Sequence, residues 1–77
     1  MRYEHPRQAE ARRDKATRHY FELLAVHLEA RDALVVAAVK HDVVENDETR
    51  KGLKFQVARY LATADELRRI YNEEIRK

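Results

Sequence analysis

Four histidines, three threonines and fourteen carboxylates are the side chains that could do chemistry in this 77-residue sequence. His27 and His41 are fourteen residues apart, two heptads, which puts them on one face of a helix but too far along it to share a metal. Ligands on a single helix need spacings of three or four residues. Only a symmetric dimer would bring copies together, with His19 or His5 joining; otherwise these are ordinary surface or boundary histidines. There is no cysteine, which excludes a disulfide framework, a thiolate zinc site and a thiol nucleophile, and no serine for hydrolase chemistry. One glycine, Gly52, cannot build a phosphate-cradling loop. No pair of carboxylates lies in an apolar, glycine-supported stretch, so no acid–base constellation is legible. The expectation is a protein that is not an enzyme and uses no cofactor or metal.

Charge is the next candidate for function. Net charge is +2, but residues 1–19 carry +3, residues 20–48 carry −5 and residues 49–77 carry +4. Neighbouring helices of opposite sign can neutralise one another within the chain. The basic cluster Arg7, Arg12, Arg13, Lys15 and Arg18 is interrupted by Glu10 and Asp14, and it spreads over several helix faces. Nucleic-acid binding calls for a basic face with few acids, so the pattern argues against that partner. No apolar run approaches 18 residues, which argues against membrane insertion. The opening Met-Arg-Tyr-Glu-His-Pro lacks the apolar segment of a signal peptide, so a cytoplasmic location is expected.

The elements that must position these side chains are helices. Eleven alanines accompany many Leu, Arg, Glu and Lys, all good helix formers. Pro6 suits a first helical turn, where its missing N–H costs nothing. Glu45-Asn46-Asp47 is the one convincing break, with Asp47 or Asn46 as N-cap of a helix over about 48–76. In that helix Leu53, Val57, Tyr60, Leu61, Ala64, Leu67, Tyr71 and Ile75 recur every three or four residues as one apolar stripe. Asp14 with Arg18, Asp65 with Arg69 and Glu73 with Lys77 are expected i,i+4 ion pairs.

The middle segment, Tyr20 to Val44, is apolar over most of its circumference and must therefore be covered on two sides. If residues 7–18 fold back as a separate helix, the chain is a single all-α domain spanning 1–77. It is then a small antiparallel three-helix bundle with helices at about 7–18, 20–44 and 48–76. If they run on into the middle segment, it is a long two-helix hairpin that must dimerise. Thr17-Arg18-His19 contains no Gly, Pro or Asn to mark a turn.

The last helix also carries a family pattern. Leu53-x-x-x-Val57-x-x-Tyr60-Leu61-x-x-Ala64-Asp65-Glu66-Leu67-Arg68 resembles the third helix of the microtubule-interacting-and-transport (MIT) domain, preceded by the charged Asp47-Glu48-Thr49-Arg50-Lys51. Upstream, Asp14-Lys15-Ala16 with Tyr20 is similar to that family's first junction, and Ala30 to its small second-helix residue. Thr63 stands where the family keeps an Arg, and Leu23 and His27 stand where it favours Ala and Tyr. The resemblance implies a three-helix adaptor that holds helical or extended peptide motifs, such as those of ESCRT-type subunits, in an inter-helix groove. By position, Leu67 matches the family's peptide-contacting Leu, with Tyr60, Ala64 and Arg68 on or beside that face. Lys54 and Arg68 would meet acidic peptide residues. The alternative, from the residues themselves, is a self-associating helical hairpin acting through its apolar middle segment as a homodimer. A sequence free of Ser, Cys and Trp also suits an engineered helical bundle or binder.

Overall fold

The computed structural model describes residues 5–76, and among them every element is helical. Helix α1 runs Pro6–Val43 and helix α2 runs Asp47–Ile70, the latter prolonged by a π-helical turn, Tyr71–Ile75. The molecule is a hairpin of two antiparallel helices, 58 × 21 × 14 Å. The three-helix bundle expected from the sequence is not formed. Segments 7–18 and 20–44 are one helix of 38 residues, and the two-helix arrangement describes the chain instead. The reason is local: nothing at Thr17-Arg18-His19 breaks the helix. The Thr17 hydroxyl donates to the Arg13 carbonyl at 2.8 Å, a bond made within a continuing helix.

Both helix starts follow from their capping residues. His5 Nδ1 accepts from the Arg7 N–H at 3.2 Å, and Pro6 occupies the first helical position. At the hairpin turn Asn46, rather than Asp47, is the N-cap of α2. Its Oδ1 accepts from the Thr49 N–H at 2.8 Å, while its own N–H donates to Thr49 Oγ1 at 3.1 Å. That reciprocal pair satisfies two donors the helix end leaves open. Asp47 and Glu48 then sit in the first turn, where the helix dipole favours negative charge.

The helices meet along a seam in which spacings of four and three alternate. On α1 it comprises Ala16, Tyr20, Leu23, His27, Ala30, Leu34, Ala37 and His41, and on α2 Thr49, Leu53, Gln56, Tyr60, Thr63, Leu67, Ile70 and Glu74. All sixteen are buried or half-buried. This heptad rhythm belongs to coiled coils, where each helix presents one narrow face to the other. The seam is rotated from the apolar stripe read in the sequence. Val57, Leu61 and Tyr71 are 38%, 55% and 48% exposed, and the polar Gln56 and Thr63 take the inward positions.

Little is sealed from solvent. Ala30, Leu67 and Ile70 are the only buried apolar residues among those described. The far end of the hairpin is held by Tyr20 against Tyr71, ring centroids 6.3 Å apart, and by Arg12 bonding to Glu74 at 3.4 Å. In the π-helical turn the Arg76 N–H reaches back five residues to the Tyr71 carbonyl at 2.8 Å.

Candidate functional site

The seam contains the polar chemistry of the molecule. His27 Nδ1 and Thr63 Oγ1 are 2.6 Å apart, and the His27 ring stacks on Tyr60 with centroids 4.6 Å apart and an interplanar angle of 26°. Two heptads on, His41 Nδ1 and Thr49 Oγ1 are 2.9 Å apart. The Thr63 hydroxyl lies within reach of the Arg59 and Tyr60 carbonyls, and the Thr49 hydroxyl within reach of the Val44 and Asn46 carbonyls. With each hydroxyl proton on a carbonyl, the histidine Nδ1–H is the donor in both pairs. The two histidines do share one face, as their spacing indicates, and each is engaged by its own threonine. No group of three His, Cys, Asp or Glu close enough to hold a metal occurs among the described residues.

The five residues carried over from the family resemblance are divided by the hairpin. Leu67 is 7% exposed against α1, Tyr60 stacks on His27, and Ala64 is half-buried. Lys54 and Arg68 are exposed, and Arg68 pairs with Asp65 at 3.6 Å. An open groove does run beside the seam at the turn end, about 520 Å³, lined by Ala33, Val36, Ala37, Gly52 and Gln56 among others. A Cβ added at Gly52 would meet nothing within 4 Å. Gln56 Oε1 is buried there without a hydrogen-bond partner.

Ion pairing departs from the expected i,i+4 set. Asp65 pairs with Arg68, not Arg69, and Arg69 instead bridges Glu66 and Glu73. The Arg69 guanidinium, hydrogen-bonded to Glu66, holds that carboxyl below its ordinary value of 4.5 and is itself raised. Lys77, expected to pair with Glu73, lies outside the described residues. At both ends of the hairpin charges meet opposite charges within the chain: Asp47 pairs with Arg50 at 3.4 Å, and Arg12 with Glu74 at 3.4 Å. Residues 12–18 carry net +3 and residues 42–48 net −4. They flank opposite ends of α1, about 45 Å apart at 1.5 Å per residue. At a Debye length of about 8 Å neither screens the other.

Most of the exposed large apolar side chains among the described residues belong to α1, several of them on the side turned away from α2. Phe21, Leu28 and Val35 recur every seven residues, with Val39 four further on, and they are 61%, 41%, 56% and 57% exposed. Val36 and Val43 widen the stripe at the turn end, 52% and 75% exposed. This is the second side of the middle segment that the sequence says must be covered, and α2 does not cover it. The surface totals 6459 Å², whereas a compact monomer of this mass exposes about 4,900 Å². No helix among the described residues is long and apolar enough to cross a membrane. No family model, no curated protein and no solved structure matches the chain.

Proposed function

We propose that the protein is a non-enzymatic interaction module that works by self-association, two hairpins burying the outer faces of their α1 helices against each other. The observation that carries this reading is the stripe Phe21, Leu28, Val35 and Val39, whose large apolar side chains stay exposed along α1. An exposed apolar surface of this kind marks an interaction site. The total surface exceeds that of a compact monomer of this mass by about 1,500 Å², as a single helix pair 58 Å long must. A second copy brings the same stripe, and a two-fold interface requires such self-complementarity.

Peptide capture through Lys54, Tyr60, Ala64, Leu67 and Arg68, implied by the MIT resemblance, uses two residues that α1 already engages, Tyr60 and Leu67. Self-association leaves those contacts intact, which is why it is preferred. The variant Val35→Lys/Val39→Lys tests the reading, with Phe55→Lys on α2, at a residue 66% exposed, as control. Sedimentation velocity is expected to give a dimer for the Phe55 variant and loss of the dimer for the double variant. Dimerisation undisturbed by the two α1 lysines would overturn the assignment of the face.

A further inference from the structure

We infer that the self-association contact takes in α2 as well, through one apolar face built by both helices. A second copy of the chain covers Phe21, Leu28 and Val35 of α1 together with Val57, Leu61 and Tyr71 of α2. This rests on the self-association proposed above and adds the α2 half of its surface. All six are large apolar side chains left exposed by the hairpin. Phe21, Leu28 and Val35 each follow a seam residue of α1 by one position, and Val57, Leu61 and Tyr71 do the same on α2. In an antiparallel pair of coiled helices, positions displaced in the same sense from the seam lie on the same flank. The rings at the far end agree, since Tyr20 lies 5.8 Å from Phe21 and 6.3 Å from Tyr71. The pairs His27–Thr63 and His41–Thr49 set the level of one helix against the other. At that level Phe21, Leu28 and Val35 stand within two residues of Tyr71, Leu61 and Val57 respectively.

The opposite flank of α2 is charged along most of its length. Arg59, Glu66, Arg69 and Glu73 precede seam residues there, Arg69 bridges Glu66 and Glu73, and Phe55 is the one large apolar side chain. A stable interface takes about 20–30 residues from each side, more than the outer stripe of α1 offers alone. Width and charge both point to a second copy as the occupant. Packed helix axes lie about 8–10 Å apart and each helix is about 10–12 Å across, so the face is about 20 Å wide. A second hairpin matches that width, whereas a lone helical peptide covers about half of it. Charges bordering the face are paired within the chain, Arg31 with Asp32, Arg50 with Asp47 and Arg68 with Asp65. Lys54 and Asp42 add one charge of each sign. Two like faces therefore meet without net repulsion, and a partner of single sign finds no complementary field.

Sedimentation equilibrium on Val57→Ala/Leu61→Ala tests the α2 half, with Phe55→Ala on the opposite flank as control. Alanine is the best helix former, so neither variant costs α2 its helical propensity. The double variant is expected to weaken dimerisation about tenfold or more, and Phe55→Ala less than about twofold. If the double variant dimerises like the wild type while Val35→Lys/Val39→Lys is monomeric, α2 lies outside the contact. That result overturns this inference and leaves the α1 proposal standing. Equal weakening by Phe55→Ala would overturn it too, because the contact would then not be confined to one flank. Helicity of the double variant that recovers on concentrating the protein accords with the contact. Helicity lost at every concentration would place Val57 and Leu61 in the hairpin's own seam and overturn it. A wild-type chain monomeric at every concentration would overturn self-association itself, and this inference with it.

Discussion

His27 occupies a seam position where a coiled coil ordinarily holds an aliphatic side chain, and it is kept there by a stack on Tyr60 and a bond to Thr63. Removing one partner of such a pair costs more than removing both, because the survivor remains buried without a bond. Thr63→Val is therefore expected to lower stability by about 1–2 kcal/mol. The double variant His27→Leu/Thr63→Val should recover most of that loss in urea unfolding at a fixed protein concentration. A double variant as unstable as the summed singles would mean that the Tyr60 stack, not the hydrogen bond, holds the site. Leu67, sealed against α1, belongs to the same seam, and Leu67→Ala should cost about 2–4 kcal/mol.

Glu66 gives the pH dependence its sign. Its carboxyl is held low in the folded chain by Arg69, so the stability this contributes is present above the ordinary value of 4.5. It is lost as pH falls through the folded value. The pair is solvent-exposed, so the contribution is small. In Glu66→Gln the acid limb of stability against pH should flatten, while a carboxyl titration by NMR should place the wild-type Glu66 below its ordinary value of 4.5. These residue-scale features were only partly legible. Spacing put His27 and His41 on one face, but a search for apolar stripes passes over Gln56 and Thr63, whose polarity disguises the seam.

The elements read more directly than their contacts. The break at Glu45-Asn46-Asp47, Pro6 at a helix start and the last helix were all visible from capping chemistry and period. Asn46→Ala should cost about 1 kcal/mol by removing the cap bond that its Oδ1 accepts from the Thr49 N–H. Gly52, inside α2 with open space where a Cβ would stand, is free to become alanine, and Gly52→Ala should gain about 0.5–1 kcal/mol. Thermal unfolding by circular dichroism reads both. A division of α1 into two helices, weighed against the continuous helix, follows only from the need to cover an apolar middle segment. The absence of any breaker at Thr17-Arg18-His19 was the better guide, since a helix continues unless something stops it. The seam of α2 is rotated by part of a turn from its apolar stripe for a related reason. Val57, Leu61 and Tyr71 suit either a core or an edge, and only the partner helix decides which.

At the scale of the whole molecule, the sequence demanded two covers for the middle segment and the hairpin supplies one. The radius of gyration is 17.7 Å, where a compact domain of this length has about 11.5 Å, so the fold lies open along its length. A helix pair sealing three apolar side chains is a thin basis for independent stability. A second copy on α1, as proposed, would supply the missing apolar burial. The most direct test is molar mass by light scattering on a size-exclusion column, loaded at two concentrations about 50-fold apart. Scattering is needed because a hairpin 58 Å long elutes ahead of its mass. Self-association through α1 predicts twice 9.2 kDa at the higher concentration, and 9.2 kDa at both would contradict it.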